Sequence, residues 1–298
     1  MAIWIILSLI SAMFLALDNI LDKYLLTNRL KDPYSYNILT NLNDILPVIL
    51  IPIFTPVHYD RVFSVVAFLF GMLTVISLVF YNKAMIKEEA SRVAAFEWTS
   101  PIFVAILSLL IFREVLSLYG YLGILLIVIG AFILSHKKQG KIIISPILWM
   151  VIIFSFLFAV GDVVSDFSLN YIDFWSFFFW ASIGSVASSV LMFGLPKIRR
   201  DFWAEMRTLE AKVFFMILAV SVIYYIAESF FYAALSLGQV SLVVAIVATQ
   251  PMFTFIYSLV IGLYRPEILR EQLDGFNIVT KFSGIIMIIC GAILVSTF

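Results

Sequence analysis

Apolar residues along this chain gather in long runs, separated by short polar stretches. A helix needs about 20 mostly apolar residues to cross a bilayer. Runs of that length fall at 2–26, 33–54, 62–83, 90–112 and 117–135, and again at 146–170, 173–194, 212–236, 239–263 and 276–297. The connections are short except at 136–145, 195–211 and 264–275. Backbone polar groups in hydrocarbon must be paired within each segment, and the alternating strands of a membrane barrel are absent, so the runs are expected to be helices. The pattern predicts an all-α integral membrane protein of ten transmembrane helices. The opening MAIWIILSLI lacks the basic region and cleavage signature of a signal peptide and reads as the start of the first span.

Composition agrees. Of 298 residues, 63% are hydrophobic and 13% charged, against roughly half apolar and about a quarter charged in soluble domains. A soluble globule of this length cannot hide that excess, because it still exposes much of its surface. Lys and Arg total 19, as do Asp and Glu, so charge gives no case for nucleic acid as a partner. Cys290 is the one cysteine, and His58 and His136 lie far apart in expected loops. No disulfide and no ordinary Cys/His metal site follow, and no phosphate loop or hydrolase motif is found. Neither a cofactor nor enzymatic chemistry is expected.

Lys and Arg also set an orientation. Of the 19, only Arg61 and Arg113 fall on the side of the membrane that carries the N-terminus. The other side therefore reads as cytoplasmic, in a plasma or inner membrane, with both termini extracytoplasmic.

The two halves of the chain read alike. Ser91 to Pro101 (SRVAAFEWTSP) aligns with Ser241 to Pro251 (SLVVAIVATQP). Gly123 to Ser135 aligns with Gly284 to Ser296, with both ends and Gly130/Gly291 matched. In the first helix of each half, Ser11, Asp18 and Asp22 match Ser155, Asp162 and Asp166 at one offset. Apolar composition produces chance Leu and Ile matches, but not matched Asp pairs. With five spans in each half, the second half must be upside down, giving inverted repeats at 1–141 and 142–298. Inverted repeats build alternating-access transporters with the substrate site near midmembrane.

By these features the chain resembles the drug/metabolite transporter superfamily, specifically its ten-helix EamA-type exporters. The resemblance rests on the helices bearing Pro101 and Pro251, the Arg113-Glu114 turn, and the Gly123/Gly130 and Gly284/Gly291 helices. An insertion, Tyr264 to Phe276, departs from the pattern in the second half. The resemblance implies an exporter of amino acids or other metabolites, often driven by protons, and leaves the compound open.

Seven acids fall within expected spans: Asp18, Asp22, Asp44, Glu97, Asp162, Asp166 and Glu228, while basic residues such as Lys23, Lys83 and Lys281 keep to span edges. Ionisable groups at membrane depth are costly and usually face a polar cavity. Such carboxyls could exchange protons and would favour cationic groups on a substrate. Asp18/Asp22 and Asp162/Asp166, spaced i, i+4, each share a helix face. They lie toward helix C-termini, where the macrodipole disfavours negative charge, so helix stability does not explain them. They are read as bordering the two ends of a pathway, with hydration at the interface as the bland reading.

Asn37, Asn41 and Asp44 form a polar stripe in the second helix. Its counterpart carries Ser182, Ser185 and Ser189, which suit close helix packing. Glu97-Trp98 has Arg92 behind it as a candidate partner. Tyr224, Glu228 and Tyr232 form an i, i+4, i+8 stripe in which a carboxylate flanked by rings could hold an ammonium, although Tyr232 also fits an interface anchor. Ser100 and Gln250, each just before a proline, could satisfy freed carbonyls or contact a ligand, and the glycine pairs read as packing surfaces.

The expected function is a secondary transporter exporting amino acids or other amine-bearing metabolites, with protons as a candidate coupling partner. Its other partners are the small-molecule substrate and the lipid bilayer, and the chain would be a monomer or weak homodimer. The alternatives are a flippase for a lipid-linked precursor and, from another class, an intramembrane enzyme.

Overall fold

The computed structural model describes residues 3–30, 32–87, 93, 96–134, 146–264 and 275–297. Over these residues the chain is helical, with no strand. The helices are α1 (Ile3–Asn28), α2 (Pro33–Leu42), α3 (Ile45–Phe54), α4 (Phe63–Lys87), α5 (Ser100–Phe112), α6 (Leu118–Leu134) and α7 (Pro146–Leu169). After these come α8 (Phe174–Met192), α9 (Pro196–Met206), α10 (Ala211–Leu235), α11 (Val240–Val247), α12 (Gln250–Tyr264) and α13 (Gly275–Thr297). Among the described residues, eight helical segments are long and apolar enough to cross a membrane, and Ser100–Phe112 and Leu118–Ile133 are shorter apolar helices. Large apolar side chains such as Ile53, Phe54, Leu110 and Ile293 face outward. With the apolar helices behind them, they make this a multi-pass membrane protein. Ser91, Arg92, His136, the expected boundary between the halves at 141/142 and residues 265–274 of the insertion lie outside the described residues.

Local chemistry starts several helices. Asp32 caps α2: its carboxylate accepts from the Ser35 backbone N–H at 2.8 Å, and Pro33 occupies the first turn. Asp173 caps α8 in the same way through Ser176, at 3.0 Å. His58, in the loop between α3 and α4, lies 3.0 Å from Asp173 and ties that loop to α8. Partial burial pushes the Asp173 carboxyl up, but the bonds from Ser176 and His58 outweigh it and hold the group below the ordinary carboxylate value.

Three of the expected spans are interrupted. The second divides at Asn43-Asp44, where Asp44 precedes α3. The fourth turns at Trp98-Thr99 before α5. The ninth turns at Ala248-Thr249 before α12. Pro101 and Pro251 therefore sit in the first turn of a new helix, where a missing N–H costs nothing, and not at a bend within a continuous one. Arg113, at the end of α5, has φ 55°, the left-handed conformation that closes the helix before Glu114.

The stretch 195–211, expected as a connection, contains α9. Ile198 and Phe202 bury one face while Lys197, Arg199, Arg200 and Trp203 face outward. This is an amphipathic helix too charged to be found by a search for apolar runs.

Packing follows a repeated plan. Helix α1 lies along α10, α11 and α12, whereas α7 lies along α4 and α5. Helix α4 also packs on α8, and α6 on α13. Glycines permit the closest approaches. A Cβ on Gly71 would stand 1.8 Å from the Ala181 backbone oxygen, and one on Gly184 would stand 1.9 Å from that of Phe68. The matched glycines of α6 and α13 meet each other. A Cβ on Gly123 would lie 2.8 Å from the Gly291 oxygen, and one on Gly130 would lie 2.8 Å from that of Gly284. The motif that closes each half is thus a helix–helix seam of small residues.

Candidate functional site

The interrupted helices bring polar backbone and side chains to the middle of the bundle, beside α1, α7 and α10. A cavity of about 110 Å³ opens there. It is lined by Asp18, Asn19 and Asp22 of α1, Glu97, Trp98 and Ser100 around the fourth-span turn, Asp162 of α7, Tyr224 and Glu228 of α10, and Gln250 of α12. Tyr81, Phe154, Phe158 and Phe231 add aromatic rings to the wall. Glu228 lies within side-chain reach of the Tyr224 and Tyr232 hydroxyls. The stripe read from the sequence therefore shares one face. Tyr232 is only 3% exposed and packs against Phe174 and Phe177, so the interface-anchor reading does not hold for it.

Several polar atoms at the cavity have no protein partner: Asp18 Oδ1, Asn19 Oδ1, Glu97 Oε2 and Trp98 Nε1. Leaving such groups unmet costs about 1–3 kcal/mol each, more if charged, so a space that exposes them is built to hold water or a polar ligand. The turn itself is held: Ser155 Oγ donates to the Glu97 carbonyl at 2.8 Å and lies 2.9 Å from Thr99 Oγ1. The corresponding hydroxyls of the other half, Ser11 and Thr249, are both unpartnered. There Gln250 Nε2 donates to the Leu15 carbonyl at 3.0 Å instead.

A second cavity, of about 80 Å³, shares Asp18, Asp22, Leu78 and Tyr224 with the first. It lies at the break in the second span, with Asn41 and Asp44 in its lining. Asp44 accepts hydrogen bonds there from Ser185 Oγ and from Tyr225 Oη, the latter at 2.8 Å. Asn41 bonds the Asn37 carbonyl at 2.6 Å, and Asn43 donates to Ser221 at 2.7 Å. Asp22 accepts from the Tyr36 hydroxyl. The polar stripe of the second helix thus faces the acids of α1 through one connected space.

The model of the EamA-like transporter family matches residues 2–136. That stretch, a little under half of the chain, is similar to the EamA-like transporter family. Members of that family are membrane transporters of small substrates. A search of curated proteins finds no match. Among solved structures 28 chains match. One of them, described only as a crystal structure of a protein, aligns with a TM-score of 0.66 and 16% identity over 96% of each chain. That likeness shows the fold alone.

Of the acids singled out from the sequence, Asp18, Asp22, Glu97, Asp162 and Glu228 line the central cavity and Asp44 the second one. Trp98, Tyr224 and Gln250 join the first set and Asn41 the second. Asp166 lines neither. Its acidic neighbour is Glu114 of the Arg113-Glu114 turn, which accepts from Ser241 at 3.3 Å. Burial raises the Glu114 carboxyl above its ordinary value, against bonds from Ser241 and Ser108.

Arg92, the expected partner of Glu97, lies outside the described residues. Lys23 and Lys83 bond away from the cavities, to the Met85 carbonyl and the Tyr34 hydroxyl, each at 2.6 Å. Lys281, expected at a span edge, is 4% exposed and lies 4.7 Å from the centre of the Phe255 ring.

Sequence reasoning missed Asn19, Tyr36, Tyr81 and Tyr225. Asn19 and Tyr225 stand one residue from Asp18 and Tyr224, whereas Tyr36 and Tyr81 carry no signal beyond being tyrosines within a span. Ser185, read as a packing residue, is a hydrogen-bond partner of Asp44.

Proposed function

We propose that this chain is a secondary transporter that exports small amine-bearing metabolites, amino acids among them. It would work by alternating access between two inverted five-helix halves, 1–141 and 142–298, with protons as candidate coupling ions. The carrying observation is a central cavity lined by carboxyls and aromatic rings, several of whose polar atoms have no protein partner. An ammonium answers both features, since it donates to carboxylates and rests against ring faces. Ten spans follow if α5, with the helical residues 96–97 before it, and α6 each cross the bilayer. The inverted relation is supported by the matched acid pairs and by the way α1 and α7 each lie along the third and fourth spans of the opposite half. Export, and not uptake, is what the family resemblance implies. Asp166, with Glu114, is the candidate outer mouth of the pathway.

A thermal-shift screen of the purified protein against amino acids, polyamines and cationic drugs at two pH values tests the reading. Amines should raise Tm, and anionic or neutral analogues should not. The sign with pH follows from the carboxyls: acidification protonates them, removes their negative charge and should shrink the stabilisation. Stabilisation by anions in place of amines would overturn the proposal. The proposed orientation, with both termini extracytoplasmic, predicts that cysteines placed at the two ends react with impermeant reagents on intact cells. Labelling only after permeabilisation would reverse it.

A further inference from the structure

The carboxyls of the central cavity outnumber what one amine can answer. Asp18, Asp22, Glu97, Asp162 and Glu228 line one space of about 110 Å³, and no Lys, Arg or His is among its lining residues. A cation supplied from outside the described residues would still leave four of the five to be met. Two like charges about 4 Å apart at a protein site repel by about 4 kcal/mol, so a cluster of this kind calls for compensating positive charge, from ligand cations or from bound protons.

These acids are close enough to repel in chains, Asp18 with Asp22, Glu97 and Glu228, and Asp162 with Glu228. Yet among the described residues no three acidic, His or Cys groups converge tightly enough to hold a metal ion. The negative charge is spread along the cavity and not focused on one point. A compact divalent ion suits that poorly, and an extended ligand suits it well.

Unpartnered atoms mark where such a ligand would bond. Asn19, 5% exposed, keeps Oδ1 without a donor, and Asp18 Oδ1 and Glu97 Oε2 beside it are likewise unmet. Three acceptors in one neighbourhood match the three N–H bonds of an ammonium. The second acidic group, Asp162 with Glu228, lies on α7 and α10. The same cavity wall offers Phe154, Phe158 and Phe231, an apolar surface for methylene groups.

We propose that the ligand of this cavity is an aliphatic diamine or polyamine. One ammonium sits among Asp18, Asn19 and Glu97, and a second sits at Asp162 and Glu228, with the carbon chain against the phenylalanine rings. This rests on the reading of the cavity as a substrate site for amines and narrows it to ligands with two or more positive charges.

Putrescine, cadaverine, spermidine, butylamine and butanediol are the probes, added to the purified full-length protein and followed by Tm and by calorimetric Kd. At least one of the multiply charged amines should bind tenfold or more tightly than butylamine, and butanediol should not bind. In Asp162→Asn that advantage should shrink to about threefold or less, because the diamines lose more affinity than butylamine does, with an unliganded Tm close to the parent showing that the variant folds. Equal binding of butylamine and the diamines would overturn the two-charge assignment and leave the amine reading standing. Failure of every amine to bind would overturn both. An unchanged diamine advantage in a folded Asp162→Asn would remove Asp162 from the second subsite and sink the proposed pose.

Discussion

Replacing Glu228 by glutamine should weaken the binding of amine ligands about tenfold to a hundredfold. The substitution keeps the size and the hydrogen-bonding reach toward Tyr224 and Tyr232 but removes one negative charge from the cavity wall. A hydrogen bond to a charged group contributes about 1.5–3 kcal/mol, and about 1.4 kcal/mol corresponds to a factor of ten in affinity. The change also removes one member of a mutually repelling group, since Glu228 acts on both Asp18 and Asp162. The unliganded variant should therefore melt no lower than the parent, and higher if that repulsion is not relieved by protons. Calorimetric titration with the best amine from the screen, together with Tm without ligand, separates the two effects. A merely structural Glu228 would show lower unliganded Tm and unchanged affinity. Unchanged affinity in a folded variant would count directly against the amine site.

The second large effect concerns α4 and α8. Gly71→Val should leave little folded protein, and Gly71→Ala should already lose several kcal/mol. The nearest atoms to a new Cβ belong to the backbone, the Ala181 oxygen at 1.8 Å and its carbon at 2.7 Å. No rotamer change relieves a clash with backbone, so the helices must part. Overpacking of an ordinary core costs about 1–3 kcal/mol and occasionally more. Here separation of α4 from α8 would also disturb α7, which packs on α4. Gly184 faces the Phe68 oxygen at 1.9 Å across the same seam and should behave alike. Gly120 supplies the contrast: its nearest neighbour is the Leu116 side chain at 3.3 Å, and alanine there should be tolerated. Yield of monodisperse protein in detergent and its Tm report the outcome. Wild-type behaviour of Gly71→Ala would show that the two helices do not approach so closely.

Much of this was legible in the order of residues alone. Runs of about 20 apolar residues can be satisfied in lipid only as helices, so the spans followed from hydropathy without any tertiary information. The acids were legible for the same reason. A carboxyl at membrane depth is costly wherever it points, so its presence marks a polar space before that space is seen. Asp18, Asp162 and Glu228 stood out on this ground, and they do meet at one cavity. The match between the two halves of the sequence added Ser11 and Ser155, whose spacing from the acids is a property of sequence.

Other features depend on which residues meet across the bundle, and no run or spacing in one segment records that. Tyr36 and Tyr225 could be ordinary aromatic residues of a membrane helix. They become ligands of Asp22 and Asp44 only because Tyr36 of α2 reaches α1, and because Tyr225 of α10, which packs on α2, reaches the break at Asn43-Asp44. Ser185 looked like a small packing residue for lack of any view of Asp44 opposite it. Asp166 matches Asp22 in the repeat yet lines neither cavity, since equal sequence position in two halves does not impose equal surroundings. Helix α9 escaped because an amphipathic helix needs only Ile198 and Phe202 buried, and its charges erase the hydropathy that reveals a span. Hydrophobic burial acts locally along the chain and is written there. Polar pairing between distant segments takes its energy from contacts that exist only once the helices have packed.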